Sequence, residues 1–138
     1  MKRSPIKSKP LSAEDSLFSR IIRERDGNRC KVCGIDGVFA QMECSHFWGR
    51  RYEGTRFDFD NADCLCHLCH GHFERKKGEG MAYFNWKFEQ LGAERFDSLR
   101  IKAHEYHKKD RAWVREVLEA ALKEILRRNT PSVMGEKS

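Results

Sequence analysis

Long apolar runs are missing from this sequence of 138 residues. No segment approaches the roughly 18 consecutive apolar residues that a membrane span requires, so no membrane association is expected. A secretory signal core is missing as well. The opening Met1–Lys9 is basic, is interrupted by Pro5 and followed by Pro10, and has no apolar stretch behind it. Internal repeats are also absent. Without export there is no oxidising compartment for disulfides, so a reducing, cytoplasmic setting is expected, and paired cysteines there hold metal more often than they cross-link.

Charge of one sign is in surplus. Lys and Arg number 27 against 21 Asp and Glu, for a formal net charge of +6. A basic balance favours a polyanionic partner, with nucleic acid the usual one. Charged residues make up 35% and aromatics 11%. That mixture can bury a modest core under a highly charged surface, and a structural metal would help close the stability margin of so short a chain.

Residues 1–11 read as a flexible basic arm. Ser12 has the character of an N-cap, with Glu14 and Asp15 in a first helical turn where the helix dipole favours anions. Leu17, Phe18, Ile21 and Ile22 then form one apolar face, and Gly27 with Asn28 ends the helix. From Arg29 to Phe73 the texture changes to short apolar pieces and turn residues, with every cysteine of the chain. Val38–Cys44 and Ala62–Leu65 are the expected strands. Helical periodicity returns after Gly71. Met81, Phe84, Phe88 and Leu91 share a face stopped by Gly92; Phe96, Leu99, Ala103 and Tyr106 repeat the pattern. A final helix carries Trp113, Val114, Val117, Leu118, Ala121, Leu122, Ile125 and Leu126, with Asp110 as its cap. These faces read as packing surface, and the last one could equally serve a dimer. The expected organisation is a single domain over 12–128, with a core at about 28–78, a helical extension at about 81–128 and a disordered tail at 129–138.

Cys30-Lys31-Val32-Cys33 and Cys66-His67-Leu68-Cys69 are two CxxC pairs with 32 residues between them. A CxxC turn lets both thiolates face one ion, and two such turns complete a closed tetrahedral zinc site. A redox dithiol would use one pair and leave the other idle. Cys44 and Cys64 are assigned to packing. With four thiolates around it, the zinc is structural and supplies no catalytic water.

Hydrolytic candidates lie between and just after these pairs. His46 follows the first expected strand, Asn61 precedes the second, His70 directly follows Cys69, and Glu74 is four residues further on. If a helix starts near Cys69, His70 and Glu74 share a face and can jointly hold a divalent ion. The pattern of His46, then Asn61 fifteen residues on, then His70 in Cys66-His67-Leu68-Cys69-His70, resembles the HNH, or ββα-metal, endonucleases. The flanking CxxC pairs are similar to the zinc-ribbon branch, which includes phage and prophage nicking enzymes. Ser45-His46-Phe47-Trp48-Gly49-Arg50-Arg51 is also similar to phage recombination proteins of the NinG type. The resemblance covers about residues 28–78.

It implies an α+β fold, a small zinc-stapled ββα core flanked by an N-terminal helix and C-terminal helices. It also implies a divalent-metal-dependent DNA endonuclease that nicks one strand with low sequence specificity, leaving 5′-phosphate and 3′-hydroxyl ends. In that scheme His46 is the general base, Asn61 ties the inter-strand loop and holds His46 in aim, and His70 with Glu74 ligates Mn²⁺ or Mg²⁺. One departure stands out. Many such enzymes place a metal-binding Asp or His immediately before the base, where this chain has Ser45. A neutral hydroxyl is a weak ligand, which favours Mn²⁺ over Mg²⁺. Arg50, Arg51 and Arg56 after His46, and Arg75, Lys76 and Lys77 after Glu74, are the candidate DNA contacts, acting on phosphate. A monomer or homodimer is expected. Two alternatives remain open, a branch-selective recombination nuclease and a zinc-ribbon DNA-binding module with a weak or inactive centre.

Overall fold

The computed structural model describes residues 11–75, 81–105 and 108–130, with Arg75 described for its main chain alone. Residues 1–10 of the expected arm, 131–138 of the expected tail, Lys76, Lys77, Tyr106 and His107 lie outside the described residues, whereas Asn129, expected in the tail, ends α4. Among those described, four helices surround one antiparallel hairpin, an α+β arrangement: α1 (Ala13–Arg25), β1 (Met42–His46), β2 (Ala62–Cys66), α2 (His67–Arg75), α3 (Ala82–His104) and α4 (Arg111–Asn129). No helix is long and apolar enough to cross a membrane.

α1 begins where its chemistry dictates. The Ser12 hydroxyl accepts a hydrogen bond from the Asp15 amide at 3.0 Å, and the Asp15 carboxylate accepts one from the Ser12 amide at 3.3 Å, a reciprocal capping box. The helix stops at Asp26, and the next two residues, Gly27 and Asn28, take positive φ. Asp110 caps α4 through the Ala112 and Trp113 amides.

The hairpin separates two apolar clusters. In its register Cys44 lies opposite Cys64, His46 opposite Ala62, Ser45 opposite Asp63 and Glu43 opposite Leu65. Because side chains alternate along a strand, Cys44, His46, Ala62 and Cys64 share the face toward α1, while Glu43, Ser45, Asp63 and Leu65 share the face toward α2 and α3. On the first face Phe18, Ile21 and Ile22 of α1 pack with Ala62 and Cys64 and with Val114 and Leu118 of α4. Each fully buried side chain of that size stabilises by about 1.5–3 kcal/mol. On the second face Leu65 and Phe73 pack with Tyr83 and Trp86.

Two sequence expectations are displaced. The first strand begins at Met42, because Asp36 turns the chain earlier: its carboxylate accepts from the Val38 amide at 2.9 Å and its carbonyl from the Phe39 amide at 2.9 Å. Aspartate turn chemistry thus outweighs the strand propensity of Val38 and Phe39, leaving them 82% and 80% exposed. The stripe of Met81, Phe84 and Phe88 is also exposed. The first half of α3 instead turns Tyr83, Trp86 and Lys87 inward, where the Lys87 Nζ lies 2.7 Å from the buried Asp63 carboxylate. Gly92 breaks α3 with φ of 79°, and beyond it Phe96, Leu99 and Ala103 are buried as the periodicity predicts.

The long connection between the strands is held at both ends. Arg25 donates to the Phe59 and Ala62 carbonyls at 2.7 and 2.8 Å, fixing a 3-10 turn at Phe59–Asn61 just before β2. Gly54 lies so close to the end of α3 that a Cβ there would collide with the main-chain oxygen of Lys102.

Candidate functional site

The two CxxC pairs meet. One ligand atom each from Cys30, Cys33, Cys66 and Cys69 lies within 4.8 Å of the others. Each pair forms a knuckle in which the second cysteine's amide donates to the first cysteine's sulfur, at 3.5 Å for Cys33 to Cys30 and 3.4 Å for Cys69 to Cys66. Gly34, at φ of 80°, closes the first knuckle. The Lys31 amide donates to the Cys64 carbonyl at 2.9 Å, tying that knuckle to β2. Burial opposes ionisation of Cys30, yet amides around its sulfur outweigh it and bring the thiol down to about 6. Four thiols so placed are consistent with structural Zn²⁺. Cys44 and Cys64 stay outside the quartet, and burial pushes their thiols up to about 12 and about 11.

A second feature runs along β1, between α1 and α2. It is a cleft of about 630 Å³ lined by His46, Arg50, His70 and Glu74, with Glu43 of β1 and Arg23 of α1. Four residues singled out in the sequence therefore border one space. α2 starts at His67 rather than near Cys69, and His70 and Glu74 remain one turn apart on it, with Nε2 to carboxylate 3.8 Å.

The residue that sequence reasoning missed is Glu43. Its carboxylate lies 2.9 Å from His70 Nδ1 and 3.3 Å from His67 Nδ1. Burial raises Glu43, but those histidine contacts outweigh it and hold the carboxyl below its ordinary range. An ionised carboxylate only accepts, so Nδ1 of His70 donates to Glu43, and Nε2 faces Glu74. Orientation of a ligating histidine by a carboxylate is a recurrent second-layer device in metal sites. Among the described residues the cysteine quartet is the one group of three or more ligating side chains near enough to share an ion. His70 and Glu74 form a pair that could offer two ligand atoms.

Ser45 is turned away from this cleft. It is fully buried on the opposite face of β1, where its hydroxyl lies 2.6 Å from that of Tyr83. His46 is the last residue of β1, with its ring 5.4 Å from Phe18. Burial, helped by the nearby Arg50 cation, lowers its imidazole from 6.5 to about 4, against a hydrogen bond to the Arg56 main chain that acts the other way. Nε2 is buried without a hydrogen-bond partner.

Asn61 is fully buried. Its Nδ2 donates to the carbonyls of Trp48 at 2.8 Å and Thr55 at 3.1 Å, and its Oδ1 accepts from the Trp48 amide at 2.8 Å. Its own carbonyl accepts from the Phe47 amide at 2.8 Å. One side chain thereby fastens the segment that leaves His46.

The arginines divide. Arg50 is exposed, and no carboxylate pairs with it among the described residues. Arg51 is exposed and rests over Tyr52, 4.8 Å from the ring centroid, while donating to the Tyr52 hydroxyl. Arg56 differs from the expectation of a free phosphate contact. Its guanidinium is bound to Asp15 on α1 and to Glu53, and Asp15 is brought down to about 2 because Arg56 and Ser12 outweigh its burial. Arg56 thus clamps the loop onto α1.

Compared with protein-family models, curated proteins and solved structures, the chain gives no match.

Proposed function

We propose that the chain is a divalent-metal-dependent phosphodiesterase that nicks DNA, built on a zinc-stapled ββα core of the HNH kind. The observation that carries this reading is the convergence of His46, His70 and Glu74 on one cleft. His46 is held neutral at pH 7 and would take the proton of the attacking water on Nε2 once that buried atom is uncovered. The Arg56 main chain holds the other ring nitrogen of the imidazole, and Asn61 holds the segment behind it. Arg50 binds the phosphate at the mouth of the cleft, where an unpaired guanidinium can engage two of its oxygens. Glu43 orients His70, which with Glu74 would hold Mn²⁺ or Mg²⁺. That ion would stabilise charge on the phosphate and the departing oxygen.

Supercoiled plasmid, incubated with zinc-loaded protein and Mn²⁺ or Mg²⁺, should convert to open circles and should do so less with His46→Ala. Equal nicking by both proteins would refute the assignment of His46, and no nicking by either would refute hydrolysis. A second reading, a zinc-ribbon DNA-binding module without activity, is favoured by the closed position of Nε2 and by Ser45 facing away. It predicts DNA binding without nicking in the same assay.

A further inference from the structure

A second cleft, of about 730 Å³, adjoins the first and shares His46, Gly49, Arg50 and Glu74 with it. Its character is different. Phe47, Trp48, Tyr52, Phe73, Tyr83 and Phe84 contribute to its wall. Phe73 and Tyr83 stack on each other at 4.4 Å, closing the floor, while Phe84 is 38% exposed and Trp48 and Tyr52 are half-buried. The rim carries the two exposed arginines, Arg50 and Arg51. The Trp48 indole Nε1 is buried with no acceptor.

We propose that this cleft binds an unpaired nucleobase of DNA, next to the phosphate held at Arg50. The proposal rests on the phosphodiesterase reading for its neighbour, but the aromatic cleft makes its own demand on a ligand. Aromatic walls with cations at the mouth match a nucleotide, whose ring stacks and whose phosphates are anionic. The volume falls within the roughly 300–1,000 Å³ of small-ligand pockets. A paired base reaches such a cleft only after unstacking, whereas a bulged or single-stranded base has no such cost. The site therefore selects DNA that already contains an unpaired nucleotide.

The test is equilibrium binding of zinc-loaded wild-type protein to a short labelled duplex without added Mn²⁺ or Mg²⁺. Three probes share one sequence: fully paired, with one extra unpaired nucleotide, and with that nucleotide made abasic. The bulged probe should bind about tenfold more tightly than the paired one, and the abasic probe should lose that gain. Phe84→Ser and Tyr52→Ser should each abolish most of the preference while leaving salt-sensitive binding to paired duplex. Phe84→Ser alters a half-exposed side chain and so guards against a folding defect at Tyr52. Equal affinity for all three probes, the result expected if the cleft takes a peptide, would overturn the proposal, as would a preference surviving both substitutions. If the preference holds while plasmid resists nicking, the hydrolytic reading fails alone.

Discussion

Acidification should destabilise this protein through His46. In the unfolded chain the imidazole takes up its proton near 6.5; in the folded chain burial and Arg50 delay that to about 4. Between those values the unfolded state binds the additional proton, so stability is full above 6.5 and falls as the pH drops toward 4. The displacement corresponds to roughly 3 kcal/mol, from about 1.4 kcal/mol for each pH interval of one. Against a total of about 5–15 kcal/mol for a small domain, that is a large share. Asp15 acts in the same sense, because its folded carboxyl is also depressed, but its contribution is lost between 3.8 and about 2, below this window. Urea midpoints of wild type and His46→Gln, compared from about pH 7 to 4.5, isolate the effect because zinc and carboxylate contributions are common to both. Wild type should lose its stability relative to the variant as the pH falls. A difference that stays constant across the range would refute the buried, neutral imidazole. The same pKa sets the acid limb of nicking if His46 is the base: kcat/KM should hold to well below pH 6, whereas an ordinary histidine would lose activity near 6.5.

Purified protein should contain about one zinc per chain, and Cys30→Ser should lose it together with the cooperative thermal transition; a Cys30→Ser protein that melts like wild type would show that the quartet staples nothing. Asn61→Ala strands the Trp48 amide and carbonyl and the Thr55 carbonyl, and should cost at least about 2 kcal/mol in chemical denaturation. Asn61→Asp is the control: it keeps the shape but cannot donate, so recovery of stability with Asp would argue against the two donated bonds. Glu43→Gln should raise the Mn²⁺ concentration for half-maximal nicking by about tenfold or more while zinc content is unchanged. An unaltered Mn²⁺ requirement would remove Glu43 from the site.

What could be read from the sequence was local or strictly spaced. The Ser12 cap, the apolar face of α1, Val114 and Leu118 of α4 (though not Trp113 and Val117, which are exposed) and the two cysteine knuckles depend on residues a few positions apart, where periodicity and turn chemistry act directly. The His70 and Glu74 pair was visible for the same reason, as one turn of helix. Glu43 was not, because its role depends on where β1 starts and which face it presents to α2, and the Asp36 turn moved that start. Lys87 was equally hidden: a lysine within a helix reads as solvent-facing, and only the tertiary approach of Asp63 draws it inward. Arg50 and Arg56 look alike in sequence. Asp15, forty-one residues from Arg56, is what makes one a clamp and leaves the other free.

The strand geometry also accounts for the serine where a metal ligand was expected. Neighbours on a strand face opposite sides, so with His46 packed against Phe18 the preceding residue must look toward α2 and α3. There Ser45 is occupied with Tyr83, in an interior where a carboxylate would confront the already buried Asp63 directly across the hairpin. The carboxylate appears two positions earlier, at Glu43, on the same face but beside α2, and there it touches His70 rather than standing free. A negative group that ligates would add its charge to the ion directly, whereas one that accepts from His70 acts by fixing a ring nitrogen. On the proposed reading the cleft would hold its ion through one nitrogen, of His70, and one carboxylate, of Glu74, and that nitrogen is the physical reason to expect Mn²⁺ to outperform Mg²⁺.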